Sequence, residues 1–229
     1  MSSDKSLKKK LSSLFKKVAL ATALTVGLSG DNAPAVAGPT SVTPLAKNEI
    51  ALVQSIFGNE INTAIIRKNF YTEHHDDNPG DSKETVATVN DTKNIKFYGK
   101  EYQSFDYSHE GTINYGTFIH EMTHIWQRQK IPGLTLLMMS CHTYDYTLDS
   151  NSRFSDFCIE QQGVLIEDYA LRFLHRSHTS FHIKNTPEND ALLKKVVEDQ
   201  FPEARKTRLA AEAQEQIKTA VTTVSSARL

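Results

Sequence analysis

The chain has 229 residues, of which 39% are hydrophobic, including eleven phenylalanines and eight tyrosines, so it can form one domain with a sizeable core. Its formal net charge of −1 gives no basic surface of the kind that binds nucleic acid, which excludes that class of partner. No stretch is apolar for long enough to predict stable membrane insertion.

The first 40 residues have the pattern of an export signal. Lysines are concentrated between Lys5 and Lys17, an apolar run covers Val18–Leu28, and Ala35-Val36-Ala37 supplies small residues for cleavage. We therefore expect a cleaved signal peptide over residues 1–40 and a periplasmic or secreted protein. The alternative is a disordered basic arm that stays on a cytoplasmic protein.

The folded part is predicted over residues 41–185, and it begins with a core helix that ends at Phe57. Thr43 or Asn48 can cap the start of this helix, because their side-chain oxygens accept hydrogen bonds from free amide groups of the first turn. Gly58 directly follows as a stop signal.

A small β-sheet is predicted after this helix. Ala64–Phe70 has a weakly alternating pattern, and Thr85–Asn90 and Asn94–Tyr98 predict a hairpin that turns at Asp91-Thr92. The run His74–Asp77 between them contains metal-binding residue types, but four adjacent residues converge poorly on one ion. A solvated loop is therefore the better prediction there.

The stretch Phe118–Gln129 places His120 and His124 four residues apart, with Glu121 directly after the first histidine. Four residues advance about 400° around a helix, so both imidazoles project from one face and suit a tetrahedral zinc ion. Glu121, about 100° away, can take a proton from a water on the metal. Apolar flanks predict a helix buried nearly all round, where polar groups need partners. A satisfied core pair without metal is the alternative.

A third zinc ligand must come from farther along the chain, since Lys130 stands where the extended motif has a third histidine. Glu160, on a predicted second helix, is the best candidate, and Glu167 shares its helical face as the leading substitute. Gly163 lies one turn from Glu160 and predicts close approach to the histidine helix. Asp168 is predicted to accept a hydrogen bond from a ligand imidazole. The alternative for Glu160 is a solvated helix residue.

The connection between the two helices supplies candidates for a second electrophile that would hold the developing oxyanion of a substrate carbonyl. These are Tyr144, Tyr146 and His142, each of which can instead be a packing residue. Cys141 and Cys158 are the two cysteines of the chain. In an exported protein they can form a disulfide, and the alternative is a pair of buried thiols.

A C-terminal helical extension is predicted over residues 186–229. Thr186-Pro187-Glu188 is a strong helix start, and Pro202 interrupts the helix before an alanine-, glutamate- and lysine-rich tail. We expect the last ten residues to be frayed.

The two predicted helices carry a family resemblance. Phe118–Gln127, together with Ile159–Gln162 and Asp168-Tyr169, is similar to gluzincin-type metallopeptidases and in particular to bacterial Vgr-related and Rhs-element-associated proteins. The resemblance covers residues 44–173. Gly163 departs from it mildly, since alanine is expected at this position.

This resemblance implies an α+β, mainly helical, zincin-like fold with a small sheet beside the His-Glu-x-x-His helix and a downstream glutamate-bearing helix. It implies Zn²⁺ on His120, His124 and Glu160, with Glu121 as the catalytic acid and base. It also points to association with a secretion system rather than to a particular substrate.

The function predicted from these residues is zinc-dependent hydrolysis of a peptide bond in a peptide or protein substrate. The alternative is a non-catalytic, zinc-stabilised binding or adaptor protein linked to a bacterial secretion system. An open fourth zinc position would favour the enzyme, whereas a fourth protein ligand would favour the structural role.

Overall fold

A computed structural model describes residues 38–72, 86–130, 143–175, 177 and 182–226, without the side chains of residues 220, 221 and 223–226. The predicted export signal, up to residue 37, lies outside the described residues, as do the His74–Asp77 loop, Cys141 and His142. The described strands and α-helices, in chain order, are β1 (Ser41–Pro44), α1 (Lys47–Phe57), β2 (Arg67–Tyr71), β3 (Ala87–Val89), β4 (Asn94–Tyr98), α2 (Thr112–Lys130), α3 (Ile159–Tyr169), α4 (Pro187–Gln200) and α5 (Pro202–Ser226).

The fold is α+β and mainly helical, as predicted, with a small mixed sheet in the order β1-β2-β4-β3. The predicted hairpin of β3 and β4 is confirmed, and Asp91 accepts hydrogen bonds from two backbone amides at its turn. β2 runs parallel to β4, with Arg67 opposite Asn94. β1, which the sequence analysis does not predict, pairs antiparallel with β2 and forms one edge of the sheet.

Helix α1 ends where the sequence predicts, because Gly58 adopts a φ of 59° that side chains disfavour. The predicted capping residues are wrong. Thr43 belongs to strand β1, and the amide of Asn48 donates instead to an aspartate in a neighbouring loop. The start of α1 is closed by Glu49, whose Oε2 accepts from the backbone N–H of Ala46 at 2.7 Å.

The same glutamate holds a buried ion pair. Lys68 on β2 donates to Glu49 Oε1 at 2.7 Å, and neither side chain is exposed to solvent. The remaining donor capacity of Lys68 goes to the carbonyls of Ser104 and Phe105, while the backbone N–H of Tyr107 donates to Glu49 Oε1. The pair therefore joins α1, the sheet and the segment that leads into α2.

Helix α2 is the central element, and residues 115–127 are all buried, as the apolar flanks of the motif predict. On one side, Phe118 stacks on Tyr107, which stacks on Phe97 of the sheet. On another, Trp126 lies against Phe201 with ring centroids 5.0 Å apart. The third side faces α3, which continues into a π-helical turn over Ala170–Leu174.

The C-terminal helices α4 and α5 complete this core. The predicted helix start at Thr186 is confirmed, since its hydroxyl accepts from the backbone N–H of Asn189. Phe201, between the two helices, packs edge-on against Phe57 and Phe154. Helix α5 continues to Ser226. None of the described helices has the length and apolarity needed to cross a bilayer.

Candidate metal centre

Helices α2 and α3 approach closely because each carries a glycine at the contact. A Cβ added at Gly163 of α3 would stand 2.7 Å from Cε1 of His120, so the imidazole lies directly on the backbone of α3. A Cβ added at Gly116 of α2 would stand 2.8 Å from Oε1 of Glu167. The close approach predicted from Gly163 is therefore confirmed, and it brings the two helices' polar side chains together.

Three donor atoms from these helices converge. His120 Nε2 lies 3.1 Å from His124 Nε2, and Glu160 Oε2 lies 3.3 Å from both nitrogens. Ligands on a tetrahedral zinc with bonds of about 2.0–2.1 Å are separated from one another by about 3.3 Å, so this nearly equilateral triangle fits such an ion. All three residues are buried, and they form the possible metal-binding group found in the part of the chain that the structure describes.

The outer contacts of the two imidazoles favour the tautomer that a metal requires. His124 Nδ1 lies 2.8 Å from Oε1 of Gln127, whose Nε2 donates to the carbonyl of Ile159 and to Gln162. The amide thus offers its oxygen to Nδ1–H, which leaves Nε2 with a free lone pair. Similarly, His120 Nδ1 lies 3.3 Å from Glu167 Oε2. With both imidazoles neutral, three electron-rich atoms face one another, and a cation would relieve their repulsion.

Without a metal, protons can partly satisfy the same atoms. Burial opposes protonation of His120, but hydrogen bonds with Glu160 and Glu167 outweigh it and raise the pKa of this histidine above its usual range. Burial likewise opposes ionisation of Glu160, yet the charges and hydrogen bonds of His124 and His120 lower the pKa of its carboxyl. The electrostatics of the cluster therefore favour positive charge at these atoms.

Glu121 follows His120 on α2, and the charges of His124 and His120 act on its carboxyl. It is 2% exposed, and its Oε2 has no hydrogen-bond partner within the described residues. Burial raises the pKa of its carboxyl, with the nearby imidazoles acting in the opposite direction. A buried carboxyl with an uncommitted oxygen and a raised pKa has the properties of a general base that also releases its proton.

The three candidates for the second electrophile differ in position. The ring of Tyr144 lies 6.0 Å from that of His120, and burial together with the charge of Glu160 raises the pKa of its phenol. The hydroxyl of Tyr146 donates to Oδ2 of Asp168 at 2.8 Å, which gives it a partner away from the triangle. His142 lies outside the described residues.

The outer contacts of the two histidines differ in part from the prediction. The carboxylate against His120 is that of Glu167, and Asp168, predicted for this role, accepts from Tyr146 instead. Gln127 was missed, although its position one turn after His124 on the same helix is a usable signal. Cys158, the residue before α3, is disulfide-bonded. Of the two possibilities given for the cysteines, this agrees with the disulfide and not with a pair of buried thiols.

Fold and site together define an α+β protein with a buried pair of histidines and a carboxylate held between two packed helices. No protein-family model matches the chain. It is 31% identical over 138 residues to the type VI secretion system spike protein VgrG2b of Pseudomonas aeruginosa, a match that covers 56% of this chain and 13% of that protein. The solved effector domain of Pseudomonas aeruginosa VgrG2b is 25% identical, with a TM-score of 0.48, and the match covers 82% of this chain and 95% of that domain.

The chain thus spans only a small part of the curated relative that it matches. The sequence similarity supports the Vgr-related part of the resemblance and the secretion-system link of the alternative function. The names of these two proteins do not refer to peptide hydrolysis or to zinc, and those two predictions remain predictions.

Proposed function

We propose that the protein is a zinc-dependent hydrolase of peptide bonds that acts in association with a type VI secretion system. The observation that carries the proposal is the triangle of His120 Nε2, His124 Nε2 and Glu160 Oε2, with the buried carboxyl of Glu121 next to it. Three protein ligands leave one position of a tetrahedral ion for water or substrate, which is typical of catalytic rather than structural zinc sites.

His120, His124 and Glu160 would hold the ion. When bound, zinc supplies Lewis acidity, which polarises a carbonyl and makes water more acidic. Glu121 would accept the proton of the attacking water and later deliver it to the leaving amine. Its raised pKa suits this exchange, because a stronger carboxylate base takes the proton more readily.

Tyr144 is the better candidate for the hydrogen-bond donor to the substrate oxyanion. A tyrosine phenol is protonated at neutral pH, as a donor must be, and burial raises the pKa of this one still further. The hydroxyl of Tyr146 is committed to Asp168, which makes it a weaker candidate.

Zinc quantification beside a broad peptide-library digest tests the proposal. We expect the wild type to bind one zinc ion and cleave peptides, Glu160→Ala to lose most of the zinc, and Glu121→Gln to keep the zinc but lose hydrolysis. A wild type that binds no zinc would refute the metal site. Undiminished hydrolysis by Glu121→Gln would remove this residue from the mechanism.

The similarity to a spike protein also favours a second candidate, a non-catalytic, zinc-stabilised adaptor of the secretion system. Such an adaptor would bind zinc without cleaving any peptide. Glu121→Gln would then leave its binding to the secretion-system partner unchanged. Both candidates imply export from the producing cell, which assays of the culture supernatant and periplasm would detect.

A further inference from the structure

We propose that Glu167 is a positioning residue for the metal site, which orients His120 and adds a second negative charge behind it, while Gly116 provides the space for its carboxylate. The inference rests on the zinc site of the proposed function and extends it to a residue outside the three ligands.

The contacts of Glu167 support this role over that of a direct ligand. Its Oε2 faces Nδ1 of His120 at 3.3 Å, whereas Glu160 and His124 face Nε2 of the same ring. An ion shared by the Nε2 atoms therefore lies on the opposite side of the imidazole from Glu167. From that side Glu167 can accept a hydrogen bond from Nδ1–H of His120. This contact fixes the orientation of the ring and leaves Nε2 free to donate its lone pair.

The position of Glu167 is enforced by the helix contact. The residue is 1% exposed, and its Oε1 has no hydrogen-bond partner among the described residues. That oxygen stands 2.8 Å from where a Cβ of Gly116 would lie. A buried carboxylate with an unmet oxygen is costly, and the contact of its other oxygen with Nδ1 of His120 offsets part of that cost. Gly116 lies one turn before His120 and makes room for this carboxylate without touching a ligand.

The two histidines differ in the charge of the side chain that contacts Nδ1. His124 is backed by the neutral amide of Gln127, and His120 by a carboxylate. Glu160 and Glu167 together carry the two negative charges that one divalent cation balances in a buried site. The positioning carboxylate thereby makes the triangle of donor atoms more attractive to a divalent ion, beyond orienting one ligand.

Zinc affinity of the full chain, measured by competition with a chromophoric chelator, tests the inference. Glu167→Gln keeps an acceptor oxygen but removes the charge, and we expect it to weaken zinc binding by about 10–100-fold. Gly116→Ala should weaken binding in the same direction by displacing the carboxylate. Gly111→Ala is the matched control, because its Cβ meets no atom within 4 Å, and it should leave zinc affinity unchanged.

A purely structural role for Glu167 predicts a different result. Both variants would then lower thermal stability equally with and without zinc, and the zinc dissociation constant would stay at the wild-type value, which would overturn the inference. In the zinc-bound wild type, ¹⁵N NMR should find the proton of His120 on Nδ1; a proton on Nε2 would also overturn it. A wild type that binds no zinc refutes the proposed function itself, whereas equal zinc binding by wild type and variants refutes only the role of Glu167.

Discussion

Replacing Gly163 by alanine should damage the metal site more than it destabilises the fold. The new Cβ would stand 2.7 Å from Cε1 and 2.9 Å from Nε2 of His120, whereas ordinary contact begins at 3.4 Å. The imidazole must therefore retreat by about 0.7 Å, well beyond the roughly 0.2 Å tolerance of a zinc–ligand bond. We expect zinc affinity to fall at least about tenfold.

The loss of stability should be partly offset, because two effects of the alanine oppose each other. Alanine favours the helix over glycine by about 1 kcal/mol, and overpacking at the contact costs about 1–3 kcal/mol. The metal-free protein should thus lose at most about 2 kcal/mol in its free energy of unfolding. Chelator competition measures the first quantity and urea denaturation with EDTA the second, with Gly111→Ala as the control. Wild-type zinc affinity in Gly163→Ala would refute the argument that His120 rests on this glycine.

Three further substitutions test contacts away from the triangle. Lys68→Met leaves Glu49 as an unpaired buried charge, and we expect a loss of about 3–5 kcal/mol in the free energy of unfolding, measured with urea. Tyr146→Phe removes the hydrogen bond to Asp168 and should cost about 1–3 kcal/mol without altering zinc affinity. Burial disfavours the charge of Asp91, but hydrogen bonds from an asparagine side chain and two backbone amides lower the pKa of its carboxyl below the usual range of aspartate. Its stabilising contribution is therefore full above pH about 4 and is lost as the pH falls through the lowered folded-state pKa. Asp91→Asn should accordingly be less stable than the wild type at pH 7, and the difference should shrink below pH 4.

Each of these has a distinct contrary outcome. Near-wild-type stability of Lys68→Met would mean that Glu49 is readily neutralised in its buried position. Reduced zinc affinity in Tyr146→Phe would show that the contact between Tyr146 and Asp168 influences the metal site. A stability difference for Asp91→Asn that does not depend on pH would show that its hydrogen bonds, rather than its charge, stabilise the hairpin turn.

The three donor atoms could be predicted because helix geometry relates spacing to direction. His120 and His124 share a face at four residues, and the glycine three residues after Glu160 marked the surface that meets the other helix. The outer carboxylate was harder to assign. Seven residues bring Glu167 back within about 20° of Glu160, whereas Asp168 lies about 80° away, so the helical phase favoured Glu167.

Other features depended on contacts distant in sequence. The four residues of β1 become a strand by pairing with β2, and nothing in their own pattern demands it. Glu49 replaces the predicted capping residues because the fold also places Lys68 against it. In both cases the partner lies more than fifteen residues away, beyond the reach of local pattern.

The last residue of α3, Tyr169, joins the ligand-bearing helix to the end of the chain. Its hydroxyl lies 3.0 Å from Oε1 of Glu198 in α4 and 3.1 Å from the carbonyl oxygen of Ala204 in α5, so these two acceptors share its one proton. Nε of Arg208 donates to the same glutamate oxygen. Removing the chain after residue 185 would therefore remove these contacts from the helix that carries Glu160. It would also remove Phe201 and expose the rings that pack against it, those of Phe57, Trp126 and Phe154, to water. A fusion of this domain to another protein should therefore include helices α4 and α5.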